Sequence, residues 1–219
     1  MGWTSASLLA PLAWWAWALL AFGASVVISM FVGRVLRRSS AAYPPAERQH
    51  DAATSMSLTD GLTSLANRRR LDRDLPAALG RGHGSVGLLM VDVDHLTTYN
   101  DTNGQIAGDD VLRRVAEVLG AQVRPTDVVY RYAGGEFCVL VADATPTEAA
   151  LVAERVRAGI EAVDFPGASS QPGGRLTVSV GLAITEASDP LEITRRADRA
   201  LHAAKHGGRN RVEISPVPA

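Results

Sequence analysis

The segment Val128–Val141, VVYRYAGGEFCVLV, predicts the element on which the fold of this chain depends. Two runs rich in β-branched and aromatic residues, Val128–Tyr132 and Phe137–Val141, flank the insert AGGE. Strand-forming residues on both sides of a Gly-Gly pair predict a β-hairpin, because glycine adopts the positive φ angles that a tight turn requires. Glu136 places a carboxylate where the turn ends. A purely structural hairpin fits this segment alone, so its role depends on the surrounding sequence.

Length and composition limit the classes of protein to consider. The chain has 219 residues, enough for one ordinary domain plus an appendage, and a formal net charge of −1. This balance argues against a nucleic-acid-binding protein that relies on bulk positive charge, and we predict no nucleic-acid partner. The single cysteine, Cys138, lies in the second strand of the hairpin, so no disulfide forms within the chain and a buried thiol is expected.

The chain begins with an uncharged segment: no Asp, Glu, Lys, Arg or His precedes Arg34, and Leu8–Gly33 is almost wholly apolar. This run is longer than the ~20 residues that a membrane-spanning helix requires. Arginines cluster directly after it, which by the positive-inside tendency places the rest of the chain in the cytoplasm. We therefore predict that residues 1–38 form a single-pass anchor in the inner or cell membrane. A cleaved secretory signal is the alternative, although no basic segment precedes the apolar run.

Two further regions follow the anchor. Residues 39–57 contain Pro44-Pro45, which interrupts a helix, and we predict a juxtamembrane linker there. Residues 58–215 show helix and strand patterns in succession and are predicted to form one globular domain. Within it, Ser85–Val93 is a continuous apolar run that ends in acid, as expected for a buried central strand.

The remaining patterns predict an α+β sandwich, in which a central mixed sheet is flanked by helices. Strands in addition to the hairpin are predicted over Leu176–Ile184 and Arg211–Ile214. Helices are predicted over Leu71–Leu79, Val111–Leu119, Thr147–Ala162 and Pro190–His206. Thr147 is the expected N-cap of its helix, because a hydroxyl oxygen accepts a hydrogen bond from the first helical N–H groups.

Two carboxylates mark the end of the central strand. Asp92 and Asp94 alternate there, so both are expected on one face of the strand. Paired carboxylates at a strand end suit a hard, oxygen-liganded cation such as Mg²⁺. Carboxylates that cap a following helix are an equally open alternative.

Four motifs occur in order between residues 58 and 213. They are DGLTSLANRR at 60–69, a D-x-D…N-D…G…G-D series from 92 to 109, the hairpin, and ADRALHAAKHGGRN at 197–210. Together these motifs resemble the GGDEF family, the diguanylate cyclases that condense GTP into cyclic di-GMP. The resemblance implies a fold similar to nucleotide cyclase and polymerase palms, with a homodimer as the active form.

The resemblance also implies a role for each residue that matches a family motif. Asp92 and the Val93 carbonyl match the magnesium ligands, and Gly134, Gly135 and Glu136 match the catalytic hairpin. The substrate-binding matches are Asn100 and Asp109 for guanine, and Lys205 and Arg209 for the triphosphate. Arg124 and Asp127 match R-x-x-D, the inhibitory site for cyclic di-GMP.

The hairpin departs from the family pattern at its metal-binding position. Gly135 stands where the family has an acid that is both a magnesium ligand and a catalytic group, and Ala133 replaces the first glycine. Glu136 is expected to face away from that position unless the strand register slips, because neighbouring strand residues point to opposite faces. Thr97 replaces a phosphate-binding lysine, and His202 replaces a tyrosine. For His202 we expect a partly exposed polar residue, since the sequence suggests no partner for it.

Three functions remain open. The first is a membrane-anchored GGDEF-domain protein that binds GTP or cyclic di-GMP, with weak or lost cyclase activity because Gly135 cannot bind a metal. The second is a working homodimeric cyclase in which Asp92, Asp94 and Glu136 share the metal. The third is a membrane scaffold without nucleotide chemistry, which has no physical need for the guanine-binding and phosphate-binding residues.

Overall fold

The computed structural model of this protein describes residues 57–81, 84–185 and 189–216. The predicted membrane anchor, residues 1–38, and almost all of the predicted linker, residues 39–57, lie outside these ranges. No helix within the described part of the chain is both long and apolar enough to cross a membrane.

A six-stranded sheet forms the centre of the domain, in the order β1-β3-β4-β2-β5-β6. Its strands are β1 (Ala66–Asn67), β2 (Val86–Val93), β3 (Val128–Ala133), β4 (Glu136–Val141), β5 (Val178–Thr185) and β6 (Val212–Ile214). The four central strands pair antiparallel, whereas β1 with β3 and β5 with β6 pair parallel. The predicted mixed sheet is therefore confirmed.

Helices cover both faces of the sheet. They are α1 (Arg68–Leu79), α2 (Leu96–Asn103), α3 (Gln105–Gln122), α4 (Pro146–Glu161) and α5 (Pro190–His206). Alternate residues of β2 explain the two layers: Leu89 and Val91 join a core with α3 and α4, whereas Leu88 and Met90 join one with α1 and α5. Because apolar residues occupy both faces of β2, its sequence is a continuous apolar run rather than an alternating one.

The start of α4 corrects one prediction. Thr145, not Thr147, is the N-cap: its hydroxyl accepts from the Glu148 N–H at 3.3 Å, and the Glu148 carboxylate accepts from the Thr145 N–H at 2.9 Å. Pro146 occupies the first helical position, where its fixed φ and missing N–H cost nothing. Thr147 therefore lies inside the first turn.

The hairpin forms as predicted, with Gly134-Gly135 as its two-residue turn. Gly134 has a φ of +43° and Gly135 does not lie in the left-handed region, which is the pattern of a type II′ turn. A guanidinium nitrogen of Arg131 donates to the Gly134 carbonyl and closes the turn. Cys138 is fully buried, and burial raises the pKa of its thiol, so the expectation of an inert structural cysteine is confirmed.

Gly181 of β5 allows the backbone of α5 to pack closely against the sheet. A Cβ atom there would lie 2.0 Å from the Leu201 nitrogen and 2.3 Å from the Ala197 carbonyl oxygen, both of which belong to the helix backbone. We expect Gly181→Ala to lower the free energy of unfolding by about 3 kcal/mol or more, because backbone atoms cannot move aside as a side chain can. Urea-induced unfolding followed by circular dichroism measures the change.

The control is Gly120→Ala, at an exposed position of α3 where an added Cβ meets nothing within 4 Å. This substitution should raise stability by about 0.5–1 kcal/mol, since alanine favours a helix. Equal effects of the two substitutions would contradict the close packing of α5 on β5.

Candidate active site

The register between β2 and β4 brings two carboxylates together. Asp92 lies directly opposite Glu136 in the antiparallel ladder, and the Val93 N–H donates to the Gly135 carbonyl at 3.2 Å. Directly opposed residues project from the same face of a sheet, so both side chains lie on the face that α5 covers. Glu136 was expected to face away from the position of Gly135, and the register places it on the face of Asp92. Gly135 belongs to the turn, and the alternation of faces begins only at Glu136.

A lysine from α5 neutralises this pair. The Lys205 ammonium lies 3.0 Å from a carboxylate oxygen of Asp92, and both side chains are largely buried. Burial raises the pKa of Asp92, although Lys205 opposes that shift. Burial also raises the pKa of Glu136, and the nearby Asp92 carboxylate adds to the effect. Two acids whose ionised forms are disfavoured form a site that gains stability from a cation.

The second aspartate of the D-x-D motif has a structural role. Asp94 is 3% exposed, and its carboxylate accepts hydrogen bonds from the Thr177 and Ser179 hydroxyls at 2.8 and 2.7 Å. A third bond comes from the Asn210 N–H at 3.1 Å, across 116 residues of chain. This bond fixes the turn after α5, where Arg209 has a φ of +62° and its charge acts on Asp92. Glu136 is thus the residue paired with Asp92 across the ladder, while the nearby Asp94 carboxylate, held by these hydrogen bonds, adds to the raised pKa of Asp92.

The predicted guanine-binding residues are neighbours at the junction of α2 and α3. Asn100 belongs to α2, Asp109 belongs to α3, and Gly104 between the helices has a φ of +87°. A Cβ atom on Gly108 would lie 1.8 Å from the Asn100 side-chain oxygen, so only glycine allows this amide its position. That oxygen is buried and accepts no hydrogen bond from any residue that the structure describes.

Arg131 is a site residue that the sequence analysis missed. Its side chain is only 10% exposed, and among the described residues Nε and one terminal guanidinium nitrogen have no hydrogen-bond partner, although the latter lies 3.9 Å from a carboxylate oxygen of Asp60. Burial lowers its pKa, and the carboxylates of Asp60 and Asp109 counter that shift. Arg131 therefore links the opening motif, the guanine-binding pair and the hairpin turn. Its place three residues before the glycine turn was the available signal.

The R-x-x-D residues also lie together, but with unequal exposure. Asp127 is 7% exposed and accepts a hydrogen bond from the Arg124 backbone N–H at 3.0 Å, so it stabilises the turn before β3. The Arg124 guanidinium lies on the surface, 3.2 Å from a carboxylate oxygen of Glu148. Only the arginine of this motif thus offers its side chain to a ligand.

The donor set fits a magnesium ion better than a metal held entirely by protein. Among the described residues, no group of three or more His, Cys, Asp or Glu side chains could hold a metal ion. Magnesium is usually bound through one or two carboxylates and substrate phosphates while it keeps several waters. Asp92 and Glu136 supply two such carboxylates, and the Val93 carbonyl follows Asp92 in the chain.

The sheet, the glycine turn and the carboxylates beside it define a palm-like domain of the nucleotide cyclase class. The chain belongs to the GGDEF family, because the family "Diguanylate cyclase, GGDEF domain" matches residues 57–211. The recognition of this family from the sequence motifs is therefore confirmed.

Individual relatives agree with this assignment. The response regulator PleD of Caulobacter vibrioides is 35% identical over 167 residues, which cover 74% of this chain and 37% of PleD. The diguanylate cyclase DgcP of Pseudomonas aeruginosa is 39% identical over 163 residues, 72% of this chain and 24% of DgcP. The GGDEF domain of DgcB from Caulobacter crescentus, solved in complex with c-di-GMP, is 34% identical with a TM-score of 0.66, covering 73% of this chain and 96% of that domain. The matched region covers little more than a third of PleD and about a quarter of DgcP.

The raised pKa of Glu136 predicts how stability depends on pH. A carboxyl group whose folded-state pKa is raised contributes stability below its ordinary pKa of 4.5 and loses it as the pH rises through the folded-state value. Glu136→Gln removes this dependence on pH. At pH 7 we therefore expect the melting temperature of the variant to be higher than that of the wild type by on the order of 2 °C. The difference should shrink towards pH 4 in thermal unfolding experiments.

The control is Glu117→Gln, which changes an exposed glutamate of α3 that pairs with Arg114. Its melting temperature should follow the wild type within the error at both pH values. A lower melting temperature of Glu136→Gln at pH 7 would show that the Asp92–Glu136 pair is not a source of electrostatic strain.

Proposed function

We propose that this chain is a membrane-anchored GGDEF-domain protein of cyclic di-GMP signalling, which binds GTP or cyclic di-GMP and has weak or lost diguanylate cyclase activity. The apolar segment Leu8–Gly33 and the arginines that follow it support the anchor, with the domain in the cytoplasm. Family membership and the DgcB complex with c-di-GMP support the ligand class.

The proposal rests on a contrast. The residues that match the nucleotide-binding positions are retained, whereas the metal site lacks one carboxylate. Asn100, Asp109 and Lys205 occupy the positions that read guanine and hold phosphate. A carboxylate and an amide together can accept from the N1–H and amine of guanine and donate to its O6. Gly135, in contrast, supplies no carboxylate, and phosphoryl transfer depends on metal ions that offset charge on the attacking and leaving oxygens.

One observation favours the alternative, an active diguanylate cyclase that joins two GTP molecules as a homodimer. Glu136 lies opposite Asp92 on the same face of the sheet, so two carboxylates are available to a magnesium ion without the family's third-position acid. In this alternative Glu136 is the second protein ligand.

An assay of cyclase activity distinguishes the proposed function from the active alternative. The full chain is incubated with GTP and Mg²⁺, and cyclic di-GMP is quantified by chromatography for the wild type, Gly135→Glu and Gly135→Ala. We expect little product from the wild type and at least about tenfold more from Gly135→Glu, because one recovered metal contact is worth about 1.4 kcal/mol or more. A Cβ atom at Gly135 would lie 2.8 Å from the terminal Cδ2 of Leu96, a flexible side chain that can turn aside.

Gly135→Ala is the matched control, because it makes the same steric change without a carboxylate. Its turnover should equal that of the wild type. Wild-type turnover equal to that of Gly135→Glu would establish the active alternative. If calorimetry detects binding of neither GTP nor cyclic di-GMP to the wild type, the proposed function is wrong.

Cyclic di-GMP binding tests the R-x-x-D site separately. Arg124→Ala should weaken binding at least about tenfold in calorimetry, because it removes charge-assisted hydrogen bonds to the ligand. Glu148→Gln should instead strengthen binding, up to about fivefold, since it releases Arg124 from an exposed ion pair while glutamine still completes the helix cap. Unchanged affinity in Arg124→Ala would exclude this site.

A further inference from the structure

Two histidines lie one turn apart at the end of α5. His202 and His206 are both exposed, and their ring centroids are 4.2 Å apart with an interplanar angle of 56°. The sequence suggested no partner for His202, and the structure supplies one. Neither imidazole has a role in the proposed nucleotide site.

We propose that His202 and His206 form a bidentate site for a transition-metal cation, with zinc as the metal. Histidines at positions i and i+4 on one helix face can bind a single zinc ion. Each ligating nitrogen lies about 2.0 Å from zinc, so the two ring centroids must move roughly 1 Å apart from their present separation. Both side chains are exposed, and a small change in their torsion angles achieves this.

The charges around the histidines favour a cation. Lys205 lies between them in the sequence, but its ammonium points to Asp92 at 3.0 Å and is thereby neutralised. Asp198, one helical turn before His202, and Glu136 line the same pocket as His202 and add negative charge. Arg199 also lines this pocket, but its guanidinium lies 3.2 Å from a carboxylate oxygen of Glu192, which offsets its charge. His206 is the last residue of α5, where the helix dipole attracts positive charge.

This site differs in kind from the magnesium site proposed at Asp92 and Glu136. Imidazole nitrogens bind zinc, copper and nickel, whereas magnesium prefers oxygen ligands. Within the described part of the chain no third donor completes a three-ligand group, so water or another exogenous ligand fills the remaining positions. The inference does not depend on the proposed function, because it rests on the two imidazoles alone.

Calorimetric titration tests the site. The full chain, stripped with a chelator and dialysed, is titrated with ZnCl₂ in a buffer that contains millimolar MgCl₂ to occupy oxygen-rich sites. We expect one zinc ion per chain with a Kd between about 1 and 100 μM, because two imidazoles supply half the ligands of a structural zinc site. His202→Tyr and His206→Gln should each weaken binding at least about tenfold.

His95→Gln is the matched control. His95 is the residue before α2 and does not belong to α5, so its replacement should leave the zinc affinity unchanged within twofold. His202→Tyr introduces the residue that the family motif has at this position, and its thermal unfolding curve verifies that it folds. The inference is wrong if His202→Tyr or His206→Gln keeps the wild-type affinity, or if the wild type binds no zinc at 100 μM.

Discussion

The antiparallel pairing of β2 with β4 is the constraint on which the site depends. It places Asp92 opposite Glu136, where both residues are only partly exposed, and leaves α5 to provide the compensating charge of Lys205. The same ladder continues through residues that are apolar on both faces, so the register cannot slip without moving core side chains into polar surroundings. Packing of the core thus determines the geometry of two charged groups, and a bound cation would offset the electrostatic cost of holding them together.

Much of the fold was predictable because its elements have strong local patterns. The bounds predicted for α5, Pro190–His206, agree with the structure, since Pro190 begins the helix and Gly207 follows its last residue. The helix α2 was missed because it buries only Tyr99 and therefore has no apolar periodicity. The N-cap of α4 was assigned to the wrong threonine, because two threonines flank Pro146 and only the proline rule selects the first of them.

Sequence motifs predicted which residues belong to the candidate site, but not how their side chains are arranged. Motifs identified Asp92, Asn100 and Lys205, yet the direction of Glu136 depends on where the turn ends and the strand begins. The prediction assumed that side chains alternate between the two faces of the sheet from Gly135 onward, but Gly135 belongs to the turn. The bulge between Arg131 and Ala133 further shifts the register of the hairpin. Arg131 was overlooked because its partners, Asp60 and Asp109, are distant in sequence and meet it only in the folded domain.

The hydrogen bond from the Asn210 N–H to Asp94 has a consequence for biosynthesis. It joins the end of the second strand to a turn 116 residues later, near the end of the domain. Contacts of such long sequence separation form late, because a long loop must close before they contribute energy. During translation, the strand that carries Asp92 leaves the ribosome well before the turn that carries Arg209. The side of the candidate site that Lys205 and Arg209 provide is therefore assembled only after residues 205–210 have been synthesised, and a nascent chain without them presents an incomplete site.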